Sequence, residues 1–397
     1  MDEAGAIFKV LVLNEISPKG LGRLPPQRYV CGRDIACPDA VLVRSADMHA
    51  MTVPPSVRAI ARAGAGTNNI PVAAMSARGV PVFNAPGANA NAVKELVLAG
   101  MLMAARNLAR ALRFVDALAG QSDDVEKAVE GGKSAFAGFE LQGQSLGIVG
   151  LGKVGSLVAD AAIKLGMDVL GFDPEITVDA AWSLPSQVRR AASVAEVLRG
   201  GRFVTLHVPL LPATRDLVNA DNLSLMPRGG VLLNFSRQGV VNEAAALAAL
   251  ESGQLGAYVC DFPSPALLGH ERVICLPHLG ASTCEAEVNC AVMVADQLRD
   301  FLENGHISHA VNFPSIRMSR ESAFRVAIAN ANVPNMLGQI STAMAKAGLN
   351  IHNMVNHSRG EMAYTLVDVD SAVRDALLAD LAAINGVLSV RYLPRLD

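Results

Sequence analysis

The sequence predicts an α/β chain built on doubly wound parallel sheet and closed by a smaller α+β unit. Three observations carry this. From Ser145 onward short apolar runs alternate with helical stretches: "SLGIVG", "MDVLGFD", "RFVTLHVP", "GGVLLNFS", "LGAYVCD" and "RVICLPH". Continuously apolar strands that end in polar residues indicate a parallel sheet covered on both faces. The first ninety or so residues show the same strand-then-loop grain in "IFKVLVL", "AVLVRSA", "VRAIARAGAG" and "VPVFNAPG". After Ala323 the order changes to strand, helix, strand, strand, helix, strand, which is a ferredoxin-like unit.

Between the first two regions, Ala92 to about Leu118 reads as one long helix with apolar residues on most faces, suited to burial. The polar, glycine-rich "GQSDDVEKAVEGGKSAFAGFELQGQ" that follows is a connection around a short helix. "NGHISHAVNFPSIRMSRES" reads as a linker into the last unit, whose helices are "NMLGQISTAMAKAG" and "RDALLADLAAIN".

Composition narrows the class. Thirty-four basic against 37 acidic side chains give a net charge of −3 without a basic block, so neither nucleic acid nor a membrane surface is an expected partner. The longest uncharged apolar run, Leu96–Ala105, is too short to span a bilayer. Asp2 and Glu3 at the start argue against a secretory leader. The six cysteines form neither C-x-x-C nor a Cys/His cluster, so no metal site is expected. They read as buried or half-buried thiols of a cytoplasmic protein.

The strongest local signal is "LGIVGLGKVGSLVADAAIKLGMDVLGFDPE". Gly150-x-Gly152-x-x-Gly155 follows a strand and opens a helix, with Lys153 and Val154 inside the turn. Two glycines admit a tight turn and a close pyrophosphate; the third admits close helix–strand packing. Asp173 ends the next strand, where a carboxylate suits ribose hydroxyls and repels a 2′-phosphate, so NAD is expected rather than NADP. In such sheets ligands sit beyond the carboxyl ends of strands. Asp173, His207, Arg237, Asp261 and His278 all fall at such ends. Arg237 can clamp a carboxylate through two parallel hydrogen bonds. His278, after the strand-ending Pro277, is a candidate acid/base near neutral pH.

In "LGIVGLGKVG", "GFDP", "LHVPLLPATRDLVN", "NFSRQGVVN" and "LPHLGAST" the chain resembles the D-isomer-specific 2-hydroxyacid dehydrogenases. "VRSA", "RAGAGTNNI" and "VPVFNAPGANANAVKELV" extend the likeness to that family's substrate loops, and the last unit resembles an ACT regulatory domain. The resemblance implies a Rossmann-type NAD domain (94–283) inserted in a flavodoxin-like substrate domain (1–93 and 284–317), with an ACT domain over 318–397. It implies hydride transfer from C2 of a D-2-hydroxy acid, 3-phospho-D-glycerate first on the route to serine. Glycerate, glyoxylate and sugar-acid phosphates are alternatives, as is an NAD-sensing interaction protein.

In that reading Arg237 and His278 are catalytic. Ser45 and Gly64–Ala65–Gly66 hold the carboxylate, Arg44 takes the phosphate, and Asn89 and Lys94 join them. Val208, Pro209, Phe235, Ser236, Gly280 and Ala281 line the cofactor with His207, and Asp261 orients the nicotinamide amide. Asn332 and Asn350 are the residues expected to hold an amino-acid effector such as serine between paired tails, in a homodimer or homotetramer. One departure stands out. The family places a glutamate a few residues after the position of Asp261 as the histidine's partner, whereas "DFPSPALLGH" has none. No dedicated acid partner for His278 is expected.

Overall fold

The computed structural model describes residues 7–120 and 124–395. Asp2 and Glu3, and 121–123 of the polar connection, lie outside them. The described chain divides into two compact units, 1–89 with 284–397, and 90–283.

The first unit opens with β1 (Phe8–Leu13), α1 (Pro18–Leu21), β2 (Tyr29–Gly32), β3 (Ala40–Val43), β4 (Ala59–Arg62), α2 (Val72–Ala77) and β5 (Val82–Phe83). These strands form one sheet ordered β2-β1-β3-β4-β5, with every pairing parallel. That is the flavodoxin-like order, and its loops leave from the strand ends.

The second unit begins with α3 (Ala90–Ala105) and α4 (Leu108–Ala117). The sequence reads one helix here; the structure breaks it at Asn107, whose φ of 53° is left-handed and cannot continue a right-handed helix. α5 (Val125–Gly132) follows, then β6 (Ser145–Val149), α6 (Lys153–Lys164), β7 (Asp168–Phe172), α7 (Val178–Trp182), β8 (Arg189–Arg190), α8 (Val194–Gly200), β9 (Phe203–Leu206), α9 (Ala220–Leu223), β10 (Gly230–Asn234), α10 (Glu243–Glu251), β11 (Leu255–Cys260) and β12 (Val273–Cys275). The parallel sheet is ordered β12-β11-β10-β9-β6-β7-β8, a Rossmann sheet whose order reverses beside β6. β10, Gly230–Asn234, is buried at every residue, as a central strand with both faces covered must be.

The chain returns to the first unit through α11 (Cys284–Asn304) and ends in β13 (Phe324–Ala331), α12 (Met336–Lys346), β14 (Ile351–Arg359), β15 (Met362–Val369), α13 (Asp375–Ala382) and β16 (Val387–Pro394). The tail sheet, ordered β14-β15-β13-β16, is antiparallel in all its pairings. Its two faces are buried against different things. Val326, Ile328, Val367 and Val369 pack under α12 and α13. Ala327, Ala329, Tyr364, Leu366 and Leu393 join Phe301 and Phe313 in the core of the first unit. An alternating strand buried on both faces is a docked strand, so the tail is part of the first unit's core.

That junction also holds a buried ion pair. Arg325 and Asp368 are both fully buried, with Nε–Oδ1 at 2.6 Å and Nη2–Oδ2 at 2.9 Å. The remaining guanidinium hydrogens go to the carbonyls of Asn304 and Ser319, and Asp368 also accepts from the Glu321 amide. Every polar atom of the pair is thereby engaged, the condition under which a buried charge is tolerated. Of the cysteines, Cys37 and Cys284 are exposed, which corrects the expectation that all six are sheltered. No described helix is long and apolar enough to cross a membrane.

Candidate active site

In the second unit the glycine-rich turn joins β6 to α6. Gly150 has φ 93°, and a side chain there would sit 2.8 Å from the His207 backbone. A Cβ on Gly155 would lie 2.0 Å from the Gly150 carbonyl, so helix and strand touch only because it is absent. Gly152 differs: its φ is −69° and nothing of the protein lies within 4 Å of an added Cβ. Neither strain nor packing demands glycine there. A phosphate approaching the N-terminus of α6 does, so the turn fits a dinucleotide.

Asp173 follows β7 and accepts from the amides of Leu151 (2.8 Å) and Glu175 (2.9 Å). It thus braces the turn, while its remaining lone pairs are left for ribose hydroxyls. Lys153 and Val154 start α6. His207, after β9, meets Thr205 Oγ1 through Nε2 at 3.0 Å, and burial pushes its pKa down to about 4. The ring is neutral at physiological pH, so it brings no charge to a pyrophosphate.

That shift has a consequence for stability. An unfolded histidine takes up a proton near pH 6.5, but the folded one resists until about pH 4. The folding contribution is therefore complete above about pH 6.5 and drains as pH falls towards 4, by up to about 3 kcal/mol. Urea unfolding of His207→Gln should show a smaller loss of stability between neutral and mildly acid pH than the parent. Equal losses would contradict this.

Arg237 lies just after β10 and is exposed. Its loop is held by a residue the sequence reading missed. Asn234, 2% exposed, accepts from Ser236 N (3.2 Å) and Ser236 Oγ (2.8 Å) and donates to the Arg237 carbonyl (3.0 Å). Arg237 Nη1 donates to the Ser236 carbonyl at 2.7 Å. The available signal was a side-chain amide closing an otherwise apolar strand. The Phe235 ring, expected at the cofactor, packs in the core against the Gly100 position of α3, which corrects that expectation for its side chain. Val208 is half-buried and Pro209 exposed beyond β9.

His278 is exposed and sits in the left-handed region, φ 56°. Among the described residues its ring makes no hydrogen bond or ion pair; it stacks at 5.0 Å and 58° on Phe262. Asp261, 1% exposed, is the carboxylate beside it, but it grips the backbone, accepting from Leu279 N (2.7 Å) and Gly280 N (2.8 Å). A Cβ on Gly280 would come 3.2 Å from Asp261 Oδ2. Burial holds the Asp261 pKa above the ordinary carboxylate range despite these donors and the nearby His278. Ala281 follows on an exposed turn. Ser264, in the loop that lacks the family glutamate, is buried and donates to Glu243 at 2.6 Å.

Lys94, near the start of α3, donates to Asn91 Oδ1 at 2.6 Å and lies 3.7 Å from Glu95. Both partners lie on its own helix, and the lysine side chain is only 20% exposed.

In the first unit Arg44 pairs with Glu287, and its carbonyl accepts from Arg62 Nε at 3.0 Å. Ser45 and Ala46 donate their amides to Asn14 Oδ1. A Cβ on Gly64 would lie 2.1 Å from Arg62 Nη1, so the guanidinium end would have to shift to admit one. The Gly64 and Ala65 carbonyls accept from Ala85 N and Asn84 Nδ2. Gly66 and Asn89 are half-buried. Arg62 was missed by sequence reading, although an arginine ending a strand before G-x-G was the available signal.

In the tail Asn332 donates to the Gly360 carbonyl, and the Asn350 amide donates to Asp370; both asparagines are exposed. β13 and β14 run in the same direction, since both are antiparallel to β15. Asn332 follows the end of one and Asn350 precedes the start of the other. They lie at opposite ends of the sheet, roughly 30 Å apart at about 3.3 Å per residue. One tail cannot place both on one small amino acid.

Residues 98–280 match the family model described as "D-isomer specific 2-hydroxyacid dehydrogenase, NAD binding domain". A Haemophilus influenzae protein named D-3-phosphoglycerate dehydrogenase is 34% identical over 340 residues, 83% of this chain and 79% of that one. The chain belongs to the D-isomer-specific 2-hydroxyacid dehydrogenase family. A second protein of that name, from Methanocaldococcus jannaschii, is 32% identical over 83% of this chain, which spans 61% of its length. The crystal structure of NAD+-bound 3-phosphoglycerate dehydrogenase from Entamoeba histolytica shares the fold, with TM-score 0.59 and 23% identity over 77% of this chain and 99% of that one. As a member of the family the protein is an NAD-dependent oxidoreductase.

Proposed function

We propose that this dehydrogenase oxidises 3-phospho-D-glycerate to 3-phosphohydroxypyruvate in the cytoplasm, feeding serine synthesis. The observation that carries the reading is the array at one edge of the Rossmann sheet. The open Gly152 turn, the braced Asp173, the Asn234-held Arg237 and the Asp261-held His278 all follow strands of that sheet. Bound NAD would accept the C2 hydride at its nicotinamide C4. Arg237 binds the carboxylate and steadies charge on the C2 oxygen as it becomes a carbonyl. The His278 ring takes the hydroxyl proton as the hydride leaves, and it does so without a carboxylate on its other nitrogen. Arg44 supplies the charge for the phosphate. Serine is the effector we propose for Asn332 of one tail and Asn350 of a second, which makes the enzyme a homo-oligomer.

The test is NADH formation with 3-phospho-D-glycerate and D-glycerate, glyoxylate reduction, and each repeated with the phosphorylated cofactor. The expected result is the highest kcat/KM with 3-phospho-D-glycerate and a strong preference for NAD, set by repulsion between Asp173 and a 2′-phosphate. Preference for an unphosphorylated acid, or equal use of NADP, would overturn the reading.

A further inference from the structure

A second concentration of charge lies in the first unit, and none of the residues assigned above to substrate, cofactor or effector lines it. Between the segment that follows α1 and the helix α11 a cavity of about 1080 Å³ is lined by Arg23, Arg28, Gln297, Arg299 and Arg317. An adjoining pocket of about 280 Å³ shares Arg28, Glu303 and Asn304 and adds Arg320 and Arg395. The acids on these walls are Asp296, Asp300 and Glu303. Each already has partners. Asp296 takes Arg23 at 2.8 Å and Arg299 at 3.7 Å; Glu303 takes the Tyr29 hydroxyl at 2.7 Å and Arg28 at 3.9 Å; Asp300 takes His306 at 2.9 Å and Arg317 at 3.1 Å. Six guanidinium groups against three carboxylates leave the walls positive.

Gln297 makes the place a site rather than a charged surface. It is 8% exposed, and neither its amide nitrogen nor its amide oxygen has a hydrogen-bond partner in the protein. Leaving such a group without a partner destabilises the fold, a cost that an apolar residue on this helix face would avoid. A buried carboxamide among arginines is a donor for an oxyanion and an acceptor for a hydroxyl beside it.

We propose that this cavity is a binding site for a small polyanion, a molecule carrying a phosphate or two or more carboxylates, held by the arginines with Gln297 bonding to it from the α11 wall. Guanidinium groups favour these oxyanions through paired hydrogen bonds. The wall also connects to the tail. Asp300 holds His306, and His306 Nε2 lies 3.2 Å from Nη1 of Arg325, the buried cation that anchors β13 to β15.

The test titrates the full-length protein, with NADH present throughout, using inorganic phosphate in one arm and citrate in the other, followed by calorimetry and by thermal unfolding. Binding of either, with a rise in Tm, is expected. Phosphate alone would mark a phosphoester site and citrate alone a polycarboxylate site. Gln297→Met and Arg317→Gln should each weaken binding about ten-fold, the loss of one charge-assisted hydrogen bond. Arg317 has a side chain 71% exposed, so its replacement keeps the test valid should the Gln297 variant not fold. No binding of either anion, or undiminished binding by Arg317→Gln together with any folded Gln297→Met, would overturn the proposal and leave the proposed function as it stands.

Discussion

His278→Ala lowers kcat by about 10²–10⁴-fold, the range a positioned acid/base supplies, and Arg237→Ala lowers it by about 10²–10³-fold through lost charge stabilisation. Both side chains are exposed. Among the described residues the His278 ring makes no hydrogen bond, and Arg237 gives up one bond to its neighbour's carbonyl. The side chains removed are exposed, so both variants should unfold at nearly the parent's denaturant midpoint and still bind NADH. A loss in kcat with KM for NAD unchanged places the effect in the chemical step. Near-normal turnover by either variant would remove that residue from its role. Asn234→Leu separates position from chemistry: Arg237 remains but its loop loses three hydrogen bonds. Its expected signature is a higher KM for substrate along with a lower kcat.

The largest effect on stability belongs to the Arg325–Asp368 pair. Asp368→Ala leaves a guanidinium fully buried with its principal anion gone, and breaking such pairs costs about 3–5 kcal/mol. Against a total stability of about 5–15 kcal/mol, that is a large fraction. Arg325→Met strands the carboxylate instead, at a similar cost. The double replacement Arg325→Met with Asp368→Leu should cost less than either single change, because no charge is then left unpaired. Chemical denaturation of the three variants decides this. A double variant as unstable as the sum of the singles would show that the two residues act independently.

Most of the fold was legible because its signals are local. The strands of the Rossmann sheet are buried on both faces and read as unbroken apolar runs, and the glycine turn is fixed by contacts within a few residues. The break at Asn107 was not legible: the apolar pattern runs straight through it, and only the left-handed backbone of one asparagine shows the helix stopping. Arg237, His278 and Asp173 could be found from strand ends. Asn234 and Asp261 act on backbone amides, one two residues and the other eighteen and nineteen residues along the chain, and a contact of that kind leaves little mark in sequence. The docking of the tail was hidden for another reason. A strand buried by helices on one face and by α11 on the other looks like any apolar strand, so the ferredoxin-like pattern suggested a free-standing unit after a linker.

In the proposed reaction hydride passes from C2 of 3-phospho-D-glycerate to bound NAD while His278 takes the hydroxyl proton. Turnover of the substrate deuterated at C2 tests it most directly, with the reduced cofactor isolated and its nicotinamide examined by mass spectrometry and proton NMR. One deuterium at C4 is expected in every NADH formed by the parent, and labelled NADH should form about 10²–10⁴-fold more slowly from His278→Ala. NADH formed without label, or labelled at the parent's rate by the His278 variant, would contradict it.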